Sequence, residues 1–186
     1  MIEAYLGVLE LSYDEIKVAF EGLADEHVWK RPTAGLLSVG ELAGHIAYWE
    51  AVKLAGEGGE PEPDLAKCRV SSPLIDHRFD DLAKCRVSSP LIDHRFAYYP
   101  TTIANPPSEQ HRAMTAEQVC GELVRVHEEA VAHFKARNPD LASTPAGWPP
   151  NHTYGEFLKY AVFHVSYHVG QIYSVRHLLG EETPDN

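Results

Sequence analysis

The fold class follows from one stretch of the chain, TYGEFLKYAVFHVSYHVGQIYSVRHLLG, residues 153–180. Thr153 and Glu156 stand three positions apart at its start, in the spacing of a helix-capping box. Apolar residues, among them Ala161 and Val165, then recur at helical intervals. Gly180 stands where a helix would end in a left-handed residue. The stretch therefore predicts one long amphipathic helix.

Three further segments have the same periodicity, and each is long enough to bury an apolar stripe. The first extends from about Ile2 to Glu26. The second opens at Ser38, with Glu41 in the capping-box position, and ends at Gly56. The third opens at Thr115, with Gln118 three residues on, and ends at about Arg137. Four such helices predict an all-α, four-helix bundle with a long crossover between helices 2 and 3.

That crossover contains an internal duplication within what we expect to be a single domain, residues 1–186. The segment DLAKCRVSSPLIDHRF, residues 64–79, recurs letter for letter at 81–96, so that two units, 64–80 and 81–97, follow one another. Solenoid repeats diverge and need about three units to form a core. The pattern indicates a recent duplication, or an engineered or misassembled insertion. The sequence does not decide which copy packs against the bundle, and deletion of 64–80 is expected to be harmless.

Composition narrows the range of functions. The formal net charge is −11 and no Lys/Arg-rich run occurs, so we expect no binding to nucleic acid. No apolar stretch approaches the roughly 20 residues of a membrane span, so no membrane association is expected. The three cysteines have no disulfide-framework spacing, which is typical of a reducing compartment. We therefore predict a cytoplasmic protein.

Three of the eleven histidines have positions that suggest a metal site. His45 lies in the apolar stripe of the second helix, together with Leu42 and Trp49. His164 and His168 are four residues apart and therefore share a face of the fourth helix. Three imidazoles with open coordination positions are typical of a catalytic metal. The alternative is that each histidine is a core residue hydrogen-bonded to a carbonyl group.

The residues around these histidines carry a family resemblance. The segments LSVGELAGHIA, residues 37–47, and HVSYHVGQI, residues 164–172, resemble the two signature segments of the DinB/YfiT-like superfamily. This resemblance implies a four-helix bundle that binds a divalent metal, most often zinc or nickel, with iron or manganese as further options. It also implies a homodimer, and it makes His45, His164 and His168 the metal ligands.

The resemblance also suggests reactions on a small-molecule substrate. The superfamily includes S-transferases that use low-molecular-weight thiols such as bacillithiol, and a mycothiol-dependent maleylpyruvate isomerase. A metal that lowers the pKa of a thiol would generate the attacking thiolate. Two alternatives stay open. One is a metal-dependent hydrolase that uses metal-bound water, and the other is a non-catalytic dimeric helical protein with a structural metal.

Several other residues are candidates for the pocket. The residue after His164 is Val165, so the glutamate of a His-Glu-x-x-His protease is missing there and any base must come from elsewhere. Gln171 shares the ligand face and could orient an imidazole. The remaining candidates are Glu41, Tyr48, Tyr167 and His127, and for each of them the leading interpretation is a solvated or packing residue. The aromatic segments 98–100 and 148–150 could cover the mouth of the site.

Overall fold

A computed structural model describes residues 2–56, 87–146 and 148–184. The first copy of the duplicated unit, 64–80, lies outside these ranges, and so does the beginning of the second copy, residues 81–86. Within the described residues the secondary structure is entirely helical and no strand is present. The predicted all-α class is therefore confirmed.

Four long helices form the bundle, and shorter helical segments connect them. The elements in chain order are α1 (Ile2–Phe20), α2 (Asp25–Val28), α3 (Val39–Glu50), a π-helical turn (Ala51–Ala55), a 3₁₀ turn (His94–Phe96), α4 (Tyr99–Ala104), α5 (Glu109–Arg112), α6 (Ala116–Arg137) and α7 (Tyr154–Leu178).

The first helix is shorter than its apolar pattern predicts. We expected it to continue to about Glu26, but α1 ends at Phe20 and the separate α2 begins at Asp25. Gly22 causes the break, because its φ of +68° lies in the left-handed region that glycine adopts without strain. The stripe continues to Leu23 because that residue still packs in the core after the chain has left the helix.

The second predicted helix is divided into an α-helical and a π-helical part. Its capping box forms as predicted, since the Glu41 amide donates to Ser38 Oγ and the Ser38 amide donates to the Glu41 carboxylate. From Ala51 to Ala55, however, the winding widens to that of a π-helix. A π turn accommodates one extra residue and is frequent at functional sites. The turn changes the direction in which the last side chains of the helix point.

The third and fourth predicted helices have the expected ends. A reciprocal capping box of Thr115 and Gln118 opens α6, and Asn138, at φ +44°, closes it. Thr153 accepts a hydrogen bond from the Glu156 amide at the start of α7. Gly180 follows α7 with a φ of +83°, the left-handed conformation predicted for it.

The core lies between two pairs of helices. Both α1 and α3 pack against both α6 and α7, so that the helices adjacent in space are not all adjacent in the chain. The apolar stripes meet in one continuous cluster. Its fully buried members include Leu9, Ile16, Ile46, Leu54, Leu123, Phe134 and Ile172.

The described part of the second copy, residues 87–97, packs onto this bundle. Val87, Leu91, Phe96 and Ala97 are each at most 3% exposed. The Phe96 ring lies against Gly44 of α3, where an added Cβ would come within 2.6 Å of the ring. Glycine at position 44 therefore permits this segment to approach α3 closely.

Among the described residues, none of the helices has the length and apolar character needed to span a membrane.

Candidate metal centre

Two helices bring three imidazoles together in the interior of the bundle. His164 and His168 project from successive turns of α7, and His45 faces them from α3. One nitrogen from each ring can be chosen so that all three lie within 4.8 Å of one another. The Nε2 atoms of His164 and His168 are 3.1 Å apart. All three side chains are buried.

A backbone carbonyl group fixes the ring of His45. His45 Nδ1 lies 2.6 Å from the carbonyl oxygen of Phe96. Because that oxygen can only accept, Nδ1 carries the proton and Nε2 keeps its lone pair. The acceptor belongs to the second copy of the duplicated unit. That copy therefore determines which nitrogen of His45 is available to a cation.

A side-chain amide orients His168 in the same way. His168 Nδ1 donates to Gln171 Oε1 at 2.6 Å, which leaves Nε2 as the acceptor. The Gln171 amide nitrogen donates in turn to the hydroxyl of Tyr167 at 3.1 Å. The side chains of Gln171 and Tyr167, both pocket candidates from the sequence, thus hold His168 in place.

Burial keeps the three imidazoles neutral at physiological pH. Loss of hydration and, to a smaller extent, the neighbouring His168 lower the pKa of His45 to about 4, against the opposing effect of its bond to the Phe96 carbonyl group. Burial also lowers the pKa of His164 to about 2, with added contributions from His168 and His45. The pKa of His168 is lowered by burial as well, against the opposing effect of its bond to Gln171. A neutral imidazole is the form that binds a metal.

The donor set fits a divalent transition metal. Imidazole nitrogens suit zinc, nickel, copper and iron, whereas calcium and magnesium prefer oxygen ligands. The Nε2 lone pair of His168 points toward Nε2 of His164, which is 3.1 Å away. Two ring nitrogens at this distance require a cation or a proton between them. Three protein ligands would leave positions open for a fourth group.

A cavity of about 520 Å³ adjoins this cluster at His45. Its volume suits a small organic molecule. The aromatic segment 98–100 contributes to its wall, as the sequence suggested, and Trp148 of the other segment packs nearby against Lys53. The lining residues are His45, Trp49, Lys53, Tyr98, Tyr99, Pro100, Asn151, His152, Glu156, Phe157 and Tyr160.

Three of the predicted pocket candidates have other contacts. Glu41 forms the α3 capping box and an ion pair with Arg31. Tyr48 packs edge-on against Trp49 and His94. The third candidate is His127. The residues that line the described cavity include none of these three.

His127 belongs instead to a buried polar network between three helices. Its Nδ1 lies 2.7 Å from the carboxylate of Glu50, and its ring stacks on Tyr13 with centroids 3.7 Å apart. The Tyr13 hydroxyl donates to the same carboxylate. Burial raises the pKa of Tyr13 well above its ordinary value, and Glu50 raises it further. This network ties α1, α3 and α6 together.

Sequence reasoning did not single out Lys53, Phe157 or the Phe96 carbonyl group. A signal for Lys53 was present, because Trp49 and Lys53 follow His45 at intervals of four residues and share its helix face. No local pattern could have indicated the Phe96 carbonyl group, because it reaches His45 from a distant part of the chain.

The comparison with known families assigns the chain to a class of protein. The family model of the DinB superfamily matches residues 9–172, which contain α3 and α6 entirely and most of α1 and α7. The chain belongs to the DinB superfamily. No curated protein matches it.

Proposed function

We propose that this protein is a metal-dependent enzyme in which His45, His164 and His168 bind one divalent cation, zinc or nickel. The observation that carries the proposal is the convergence of three buried, neutral imidazoles beside a cavity. A cation bound there would supply a Lewis acid that lowers the pKa of a thiol or a water molecule at its open position.

The protein's own residues would prepare that position. The Phe96 carbonyl group and Gln171 hold the Nδ1 protons of His45 and His168, so that both Nε2 atoms face inward. Tyr160, which lines the cavity, stacks on His164 with ring centroids 5.0 Å apart. The walls of the cavity exclude water from a bound substrate and orient it.

Transfer of a low-molecular-weight thiol is the reaction we favour. Three neutral ligands leave the full charge of a divalent cation uncompensated, which favours binding of an anionic thiolate. A thiol that has lost its proton needs no further general base. This agrees with Val165 at the position where a metalloprotease of the His-Glu-x-x-His type has its glutamate.

Metal analysis tests the site directly. Purified protein is loaded with Zn²⁺ or Ni²⁺, passed through a desalting column and measured by inductively coupled plasma mass spectrometry. We expect one ion per chain, and a loss of at least about tenfold in affinity for His45→Ala and His164→Ala. His133→Ala is the matched control, because His133 lies on α6 outside the cluster and should leave the metal content unchanged.

Turnover by the loaded protein tests the reaction. A panel of small thiols is offered with 1-chloro-2,4-dinitrobenzene, where thiolate attack forms the C–S bond and releases chloride. We expect turnover that the His164→Ala variant loses. Wild-type protein that retains no stoichiometric metal would contradict the whole proposal. Metal binding without thiol turnover would contradict thiol transfer, and turnover of ester substrates would then favour hydrolysis.

A further inference from the structure

A buried histidine outside the metal cluster lies behind the segment that fixes His45. His111 belongs to α5 and is only 4% exposed. Among the described residues, it is a member neither of the three-histidine cluster nor of the cavity lining. The polar atoms of a buried side chain are nearly always hydrogen-bonded, so the partners of its two ring nitrogens indicate what the residue does.

Two hydrogen bonds fix the tautomer of His111. The Ser108 amide donates to His111 Nδ1 at 3.2 Å, so this nitrogen accepts and carries no proton. The proton therefore lies on Nε2, which donates to the Pro90 carbonyl oxygen at 2.7 Å. Pro90 belongs to the described part of the second copy, residues 87–97. His111 thus ties α5 to that segment near its beginning.

The ring of His111 also contacts the end of the same segment. It lies edge-on to the Phe96 ring, with centroids 5.0 Å apart. The carbonyl oxygen of Phe96 is the acceptor for the Nδ1 proton of His45. A shift of the His111 ring would therefore move the group that orients a metal ligand.

Two glycines of α3 allow the rings around His111 to pack directly on that helix. The Trp29 ring, whose centroid is 5.9 Å from that of His111, lies over Gly40, and the Phe96 ring lies over Gly44. At either glycine an added Cβ would come within 2.6 Å of the ring. The two positions are four residues apart and share one face of α3. Glycine is unfavourable inside a helix, and the close packing of the two rings offsets that cost.

We propose that His111 is a positioning residue for the metal centre. It holds the Phe96 carbonyl group against α3, and this group keeps the proton of His45 on Nδ1 and leaves Nε2 free to bind a cation. Without His111 the Pro90 carbonyl group loses its donor, and the segment can move away from His45. The proposal rests on the proposed function only where it concerns metal affinity, because the tautomer of His45 can be measured without a metal.

His111→Phe tests this role, because phenylalanine keeps a ring beside Phe96 but cannot donate to Pro90. The tautomer of His45 is read by NMR from the ring nitrogens of ¹⁵N-histidine-labelled, EDTA-treated full-length protein, and its signals are assigned by their absence from His45→Ala. Zinc affinity is measured by competition with a fluorescent chelator. We expect the wild type to contain only the Nδ1–H tautomer and the variant to contain both. The zinc affinity of the variant should fall about three- to tenfold, as the loss of one hydrogen bond predicts.

His27→Phe is the matched control. His27 is also a largely buried histidine, and its Nδ1 lies 2.7 Å from the Glu181 carboxylate, a contact that does not involve residues 87–97. This variant should keep a single tautomer of His45 and the zinc affinity of the wild type. If His111→Phe does not fold, as judged from its melting temperature, His111→Asn gives the same test. Asparagine can still accept from the Ser108 amide, but it is too short to reach Pro90.

The results separate the role of His111 from the metal centre itself. A folded His111 variant that keeps the single tautomer of His45, or the zinc affinity of the wild type, would overturn the positioning role. Equal losses in His27→Phe, or both tautomers already present in the wild type, would overturn it as well. Wild-type protein that shows the predicted tautomer but binds no zinc would contradict the metal centre, whereas the tautomer in the His111 variant would still decide the role of His111.

Discussion

Gln171 illustrates how a single residue can prepare an imidazole for a cation. Its Oε1 accepts the Nδ1 proton of His168, and its amide nitrogen is held by Tyr167. Partners of this kind fix the tautomer and orientation of ligating histidines in metal sites. The sequence placed Gln171 on the face of the helix that carries the proposed ligands, where it could orient an imidazole, and its hydrogen-bond partner in the structure is His168.

Replacement of Gln171 by leucine should therefore weaken zinc binding. The variant keeps all three imidazoles but removes the acceptor that selects the tautomer of His168. We expect the zinc affinity, measured by competition with a fluorescent chelator, to fall by roughly 10- to 100-fold.

Tyr167→Phe serves as the comparison, because it removes only the hydroxyl group that holds Gln171 and keeps the ring against His168. Its loss of affinity should be clearly smaller than that of Gln171→Leu. Equal zinc affinity in Gln171→Leu and the wild type would show that the hydrogen bond has no part in ligation.

At the scale of elements, α3 depends on a close approach by the 3₁₀ turn. The Phe96 ring occupies the space over Gly44, and the Phe96 carbonyl oxygen accepts from the adjacent His45. In the next turn of the helix, the Trp49 indole donates to the Ala97 carbonyl group. The same short segment thus positions two side chains of the site.

Gly44→Ala should disturb both the packing and the metal site. The new methyl group would lie 2.6 Å from the Phe96 ring, so the ring and its carbonyl group must move. We expect a loss of about 1–3 kcal/mol in the free energy of unfolding, measured by urea denaturation, together with weaker zinc binding.

Gly121→Ala is a suitable control, because a Cβ at this helical position meets nothing within 4 Å. It should leave zinc binding intact and stabilise the protein by up to about 1 kcal/mol, since alanine favours helix. A Gly44→Ala variant with the stability and zinc affinity of the wild type would show that the segment can shift freely.

The helices were largely predictable from sequence because their signals are local. Capping residues such as Ser38 and Thr115, and the terminal Gly180, act on neighbours a few positions away. The end of α1 was not predicted, because an apolar stripe does not mark where a helix stops. An apolar stripe reports burial, and it continued through Gly22 to Leu23 although the helix did not.

At the scale of the whole molecule, the duplication places two identical segments in competition for one location. The packed segment ends in Phe96-Ala97, and Ala97 is 1% exposed. The first copy ends in Phe79-Asp80 instead. The sequence alone could not decide between the copies, whereas the burial of Ala97 favours the second, because an aspartate there would lose its hydration.

Two deletion variants can test whether the second copy is the one that packs. Their chains differ from each other at only one residue. Removal of 64–80 leaves Phe-Ala before Tyr98, and removal of 81–97 leaves Phe-Asp before the same tyrosine. The first variant should keep the melting temperature and zinc content of the full chain, because shortening a connection changes little. The second should melt roughly 5–10 °C lower, in line with a cost of a few kcal/mol for the buried carboxylate.

Equal melting temperatures of the two shortened chains would contradict this assignment. Alanine in place of Asp80 in the second variant should restore its stability, because the resulting chain is identical in sequence to the first variant.

Contacts between distant parts of the chain set the limit of sequence reasoning here. His45, His164 and His168 could be selected because the two helix faces and the family resemblance indicated them. Glu50, His127 and Tyr13, by contrast, form their network across three helices, and no spacing in the sequence relates them. The partners of His127 depend on which helices become neighbours in space.

The aromatic surroundings of Lys53 also give the protein an internal optical reporter. Of the three tryptophans in the chain, Trp49 and Trp148 contact this lysine. The third, Trp29, donates to the Met114 carbonyl group at another place in the bundle. A molecule that enters the cavity would change the polarity around Trp49, which lines it, so that tryptophan emission could follow binding without any label.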